Sequence, residues 1–160
     1  MDETGCCLDA NLDYGRSPCG ERIYDCKPTT PGERVSAVAV LTGNGIEAEY
    51  LYQGTLTARL FIAYLEAYLL TLLGQGKTLI MDNLPAHHAK KVELFLQSHN
   101  ISYLFIPPYS PEFNPIEEAF SKTKQSVRRR KPRTLATLEE ALREGLKTIT
   151  ADDAINYSGF

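Results

Sequence analysis

TLIMDNLPAHHAKKVELFLQSHNISYLFIPPYSPEFNPIEEAF, residues 78–120, is the stretch that decides the fold. Thr78 to Met81 is a short apolar run and Ile101 to Ile106 is a second. Between them, Pro85 to Ser98 reads as a helix, with Val92, Leu94, Phe95 and Leu96 as its apolar set. Strand, helix, strand implies parallel pairing through a right-handed crossover. A strand as apolar as Thr78–Met81 is expected to be buried on both faces. Asp82 and Asn83 follow at its carboxyl end, where open α/β sheets collect their ligands. The second strand leads into Pro107, Pro108, Pro111 and Pro115, a density that forbids regular strand or helix. Asn114-Pro115-Ile116-Glu117 then opens a helix. Asn suits the N-cap, Pro the first helical position and Glu the third. That helix is expected to run from Pro115 to Arg129, with Glu117 and Glu118 in its first turn.

Upstream, Val35–Leu41 is β-branched and apolar, Gly43-Asn44-Gly45 is a tight turn, and Ile46–Tyr52 is the returning strand of a hairpin. Thr57–Leu73 has apolar residues at spacings of three and four and reads as a helix stopped by Gly74 and Gly76. Cys6-Cys7-Leu8 is strand-like, while Leu12 to Cys26 looks like loop. Downstream, Thr137 and Glu140 form a capping box that opens a last helix, with Leu138, Ala141, Leu142 and Leu146 on one face. A hairpin followed by strand-helix-strand units gives an α/β fold. Its expected form is a mixed five-stranded sheet, antiparallel hairpin plus parallel strands, with helices on both faces. The 160 residues make a single domain, without repeats or a dividing linker.

Hydrophobic residues make up 43% of the chain, enough for a real core. No apolar run reaches the roughly 18 residues that a membrane span needs, and acidic residues follow Met1 at once, unlike a secretory signal. A cytoplasmic protein with no membrane partner is the expectation. Cys6, Cys7, Cys19 and Cys26 lack zinc-site spacing and read as reduced thiols. The net charge of −3 is no signature of a nucleic-acid binder. The distribution is another matter. Lys122, Lys124, Arg128, Arg129, Arg130, Lys131 and Arg133 fall within twelve residues with no acid among them, a candidate phosphate-facing patch.

Asp82 and Glu117 are separated by 34 residues, and Asp2 stands at the start of the chain. Carboxylates brought from three elements to one edge would form a hard oxygen site suited to Mg²⁺ or Mn²⁺. Taken singly, Glu117 reads equally as a capping partner of Asn114, Asp82 as a turn residue and Asp2 as a frayed terminal residue. Taken together with their flanks, they carry a resemblance. Asp2-Glu3-Thr4-Gly5, Met81-Asp82-Asn83 with His87, and Pro107-Pro108-Tyr109-Ser110-Pro111-Glu112-Phe113-Asn114-Pro115-Ile116-Glu117 resemble the catalytic domain of DDE-superfamily transposases. The match is to the mariner-like branch that includes bacterial insertion sequences, and the spacing of 34 is that branch's pattern.

The resemblance implies a ribonuclease-H-like fold and metal-dependent cleavage and strand transfer of DNA. Asp2, Asp82 and Glu117 would be the catalytic metal ligands, holding two Mg²⁺ or Mn²⁺ ions. Asn83, His87 and Glu118 are accessory candidates, with Glu118 the rival of Glu117. The implied partners are double-stranded DNA, as transposon ends and then a target at TA, and a second copy of the chain. The implied setting is the bacterial cytoplasm and nucleoid. The resemblance departs in one respect. The family's N-terminal helix-turn-helix and the leading part of its first strand have no counterpart ahead of Asp2. That suggests a separately encoded DNA-binding half or an inactive remnant that only binds DNA or dimerises, with Asp2 loosely held as terminal residues are.

Overall fold

The computed structural model describes residues 1–9, 16–24, 33–74, 76–108, 110 and 113–159. β1 (Asp2–Cys7), β2 (Arg34–Thr42) and β3 (Gly45–Gln53) form an antiparallel sheet in that order. β1 pairs along its whole length, from Asp2 opposite Ala39 to Cys7 opposite Arg34. The β2–β3 hairpin turns over Gly43 and Asn44. Gly45 is required beside it. Its φ is +112°, and a Cβ would stand 2.5 Å from the Ile149 carbonyl oxygen. β4 (Thr78–Met81) and β5 (Ser102–Phe105) pair in parallel, Met81 opposite Phe105, with α3 (Lys90–Ser98) as the crossover. The Met1 amine donates to the Ile80 carbonyl at 2.8 Å and ties the start of β1 to β4. The five strands are thus a mixed set, as the sequence implies.

β2 alternates between two cores, as a strand's period of two requires. Val38 and Val40 face one core. There α1 (Ala58–Tyr64), a π-helical segment (Leu65–Leu69) and α2 (Leu70–Leu73) bury Phe61, Tyr64, Leu65, Leu69 and Leu73. Val35, Ala37 and Ala39 face the other core, with Cys6 of β1. That side is covered by α4 (Ile116–Arg130), α5 (Leu135–Lys147) and α6 (Ala151–Ser158). Ile116, Phe120, Val127, Leu138, Leu142 and Leu146 fill it. Helices therefore lie on both faces of the antiparallel sheet.

Several boundaries differ from the sequence reading. The long helix of Thr57–Leu73 is capped by Thr57 as expected, but an extra residue widens its middle turns into π geometry. Pro85 to His88 is a turn, and α3 begins only at Lys90. β4 is not buried on both faces. Leu79 and Met81 are buried, but Ile80 is 49% exposed beside its partner Leu104, because the helices cover only one side of this pair. The last turn of helix-opening chemistry is also shifted. α5 starts at Leu135, where Thr134 and Thr137 cap each other, so the box is one turn earlier than Thr137–Glu140. α6 is an additional helix with its own box, Thr150 and Asp153. Cys6, Cys7 and Cys19 are free thiols, and Cys26 lies outside the described residues, as do Tyr109, Pro111 and Glu112 of the proline-rich lead-in.

Candidate metal and nucleic-acid site

β1 and β4 meet where the Met1 amine bonds Ile80, and this junction brings Asp2 and Asp82 together. Asp2 is 8% exposed and far from frayed. Its Oδ2 accepts from Asn114 Nδ2 at 2.8 Å, and its Oδ1 accepts from the Glu3 amide at 2.6 Å. Asn114 is the residue that the sequence reading misplaced. The helix is capped at Pro115 without a side-chain hydrogen bond, so the Asn114 amide is not spent on capping. Instead it reaches across 112 positions to hold a carboxylate. A local pattern cannot separate these uses, since a capping Asn and a tethering Asn have the same neighbours.

Burial raises the Asp2 carboxyl to about 6, and the negative charge of Asp82 pushes in the same direction. The two hydrogen bonds and the Met1 amine oppose this without cancelling it. Two carboxylates crowded together, one of them largely desolvated, form an oxygen site lacking positive charge. This is the electrostatic state that a divalent cation relieves, and the donor set suits Mg²⁺ or Mn²⁺.

Asp82 follows β4 directly. Its Oδ1 lies 2.8 Å from His87 Nδ1, and its carbonyl oxygen lies 3.3 Å from the same nitrogen. His87 is fully buried against Phe61, ring centroids 4.5 Å apart. Asn83 donates its amide to the Ile106 carbonyl, and its Oδ1 accepts from His88 Nε2 at 2.8 Å, which clasps the ends of β4 and β5. His88 in turn stacks on Phe105.

A cavity of about 310 Å³ opens at these strand ends, lined by Asp82, Asn83, Ile106, Pro107, Asn114 and Glu117 among others. Glu117 thus shares a cavity with Asp82, and Asn114 links that cavity to Asp2. The expected convergence of three acids is met only in part. Among the described residues no three His, Cys, Asp or Glu side chains are gathered closely enough to hold an ion. Glu117 is exposed, and like charges favour separation. Glu118, its rival, is exposed and does not line the cavity.

The basic stretch divides by helix face. At 100° per residue, Glu117, Ser121, Lys124 and Arg128 fall within about 60° of one another on α4. Lys124 and Arg128 line a groove of about 230 Å³ with Gly5, Cys6, Cys7, Asp9 and Val127. α4 and β1 therefore run side by side, from Asn114 and Asp2 at the cavity to Arg128 and Cys7 at the groove. Lys122 points elsewhere. Its Nζ is 2.6 Å from Asp153 Oδ2 on α6, an acid too distant in sequence for the charge run to reveal. Arg129 and Arg130 are exposed at the end of α4, where cations complement the helix dipole, and Lys131 closes it in a left-handed conformation. Arg133 follows it and is exposed.

The model of the DDE superfamily endonuclease family matches residues 1–139. Among solved structures, the chain is similar to that of a pre-cleavage Mos1 transpososome, with a TM-score of 0.79 at 15% identity over 99% of this chain and 50% of that one. A Mos1 mariner paired-end complex with Mn gives 0.74 at 16% identity, covering 99% and 50%. The catalytic domain of Mos1 mariner transposase gives 0.64 at 16% identity, covering 79% and 68%. The chain spans about half the length of the transpososome chains it matches, and its fold is the ribonuclease-H-like fold expected from the sequence. No curated protein sequence matches the chain.

Proposed function

Because the chain belongs to the DDE superfamily of endonucleases, we propose that it is the catalytic domain of a transposase that cuts DNA at an element's ends and transfers the freed 3′-hydroxyl to a target. The observation that carries this reading is the pairing of Asp2 with Asp82 beside a cavity that Glu117 also lines. Asp2, Asp82 and Glu117 would hold two Mg²⁺ or Mn²⁺ ions. Bound there, the metal would supply the positive charge that ionises a water and stabilises the attacking and leaving oxygens of a phosphodiester. The chain's own residues do the rest. Asn114 fixes Asp2, the Asn83 clasp fixes the cavity floor, and the start of α4 at Pro115 puts Glu117 in its first turn.

The nucleic-acid partner in this reading is double-stranded DNA, first as transposon ends and then as a TA target. Lys124 and Arg128 are the cations that continue from the cavity along the face of α4 bearing Glu117, so they would take phosphates flanking the cut. Lys122 is committed to Asp153 and contributes least. Arg129, Arg130, Lys131 and Arg133 would add screening-sensitive attraction at the helix end. A second copy of the chain completes the proposed assembly, in the bacterial cytoplasm. The deciding experiment is Mn²⁺-dependent nicking of supercoiled plasmid, comparing the wild type with Asp82→Asn. Nicking that needs metal and disappears in the variant is expected. Equal nicking by both proteins would sink the reading.

A further inference from the structure

His87 is the one fully buried imidazole among the described residues. Its Nδ1 hydrogen-bonds the Asp82 carbonyl oxygen at 3.3 Å and lies 2.8 Å from Asp82 Oδ1, a buried oxygen outside hydrogen-bond geometry with it. Its Nε2 is buried and has no hydrogen-bond partner. A proton on Nε2 would be a buried donor without an acceptor, which is costly, whereas a proton on Nδ1 meets the Asp82 carbonyl oxygen. The surroundings therefore select the Nδ1–H tautomer. The ring cannot turn away easily. Phe61 packs against it, and the His87 amide donates to the Leu84 carbonyl at 2.9 Å, closing the turn that carries it.

From this arrangement we infer that His87 is a positioning residue for Asp82. Its Nδ1–H, donated to the Asp82 carbonyl oxygen, holds the ring 2.8 Å from the buried Oδ1, which confines that oxygen against the imidazole and leaves Oδ2 as the oxygen offered to the cavity. This inference rests on the proposed metal-dependent function, because it assigns His87 the task of presenting a metal ligand. One ring nitrogen thus hydrogen-bonds the end of β4 and abuts the carboxylate that follows it. Outer-sphere donors of this kind alter metal affinity by about 10- to 100-fold when removed.

The test separates the position of the donor from mere polarity and burial. Asparagine places its amide nitrogen near the position of Nδ1, while glutamine places it near that of Nε2. His87→Asn is expected to keep Mn²⁺ affinity within a few-fold of wild type. His87→Gln and His87→Leu are expected to lose about 10- to 100-fold. Mn²⁺ titration by calorimetry gives these affinities, and metal-free melts confirm that each variant is folded. Nitrogen-15 spectra of the wild-type imidazole supply a readout independent of metal, and the Nδ1–H tautomer is expected. An Nε2–H tautomer, or equal Mn²⁺ affinities for the Asn, Gln and Leu variants, would overturn the inference about His87 alone. A wild-type chain that binds no Mn²⁺ would overturn both this inference and the metal-dependent function beneath it.

Discussion

Asp2 and Asp82 are borne by the sheet, and Glu117 is borne by a helix; the two halves of the site are built in opposite ways. Each sheet-borne carboxylate is held by a specific partner, Asn114 for Asp2 and His87 for Asp82, and each is at least partly buried. Glu117 is exposed, and what positions it is the backbone beneath it, through a bond from its amide to the Asn114 carbonyl at 3.0 Å. The buried pair sits in a crowded negative field before anything binds. The exposed acid avoids that field, and in the proposed metal site it would have to turn inward to reach a bound cation. Asn114 joins the halves, since its side chain holds Asp2 while its carbonyl starts the helix of Glu117. The contrast implies a rigid, strained half and a compliant half, and this can be broken or sharpened by experiment.

The largest expected effect is metal stabilisation. At a concentration 100 times its dissociation constant, a bound ion adds ~2.7 kcal/mol. For a domain of this size that is a melting shift of roughly 5 to 10 °C. Melts in Mn²⁺ against EDTA should show it. Asp82→Asn should raise the metal-free melting temperature slightly, by relieving the repulsion with Asp2, and abolish the shift. Glu117→Gln should leave the metal-free value nearly unchanged and reduce the shift, and Glu118→Gln should do neither. A shift that survives Asp82→Asn would remove the sheet-borne half from the metal site.

Next is the tether. Asn114→Ala takes a hydrogen bond from a buried carboxylate, and bonds to charged groups contribute about 2 kcal/mol. The variant should melt roughly 4 to 8 °C lower without metal. If Glu117→Gln costs as much, the helix-borne carboxylate is as firmly held as the others and the comparison fails.

What the sequence made legible follows the same division. The helix-borne half is a local pattern, and two of its features, the start near residue 115 and the presence of Glu117 in the first turn, stand in the structure. Asp82 was legible because a short apolar strand ends beside it. The partners of the sheet-borne acids were not. Asn114 looked like a cap because capping is the commonest use of Asn before Pro, and only tertiary structure reveals a partner 112 positions away. Lys122 looked unopposed for the same reason. The π-helical turns and the exposed face of β4 also depend on what packs where, since Leu-rich spacing fits an α-helix and an apolar strand fits a doubly covered sheet. The choice between Thr134 and Thr137 as cap depended on one turn of register that propensity alone does not fix.

A smaller effect concerns DNA, and it asks whether the helix-borne half extends into a phosphate track. Each neutralised phosphate adds about 0.9 to the negative slope of log affinity against log salt. Lys124→Ala with Arg128→Ala should flatten the slope for duplex DNA by about 1.8, if each takes one phosphate. Lys122→Ala should leave it unchanged, because its ammonium already serves Asp153. Equal flattening by Lys122→Ala would mean that charge alone matters and that the face of α4 carrying Glu117 has no special part.

The smallest effect lies on the far side of the same helix, where Lys122 and Asp153 tie α4 to α6 away from the site. The hydrogen bond from Lys122 is the main cause that lowers the Asp153 carboxyl to about 2, and the Thr150 amide, closing the capping box of α6, adds to it. In the unfolded chain an aspartate titrates near 4. Between these values the unfolded state binds the proton and the folded state does not. Stability from this group is therefore complete above about pH 4 and is lost as the pH falls toward about 2. Asp153→Asn removes the group that titrates, so its melting temperature should fall less steeply than that of the wild type between pH 4 and pH 2. At neutral pH the variant should melt only slightly lower, because exposed ion pairs contribute little. Lys122→Ala should shift the acid limb in the same sense but less far, since the Thr150 amide still favours the ionised carboxylate. Melts at half-unit pH steps compare the limbs. Parallel acid limbs in wild type and Asp153→Asn would show that α6 is held by its apolar contacts alone, and that Lys122 is available to DNA after all.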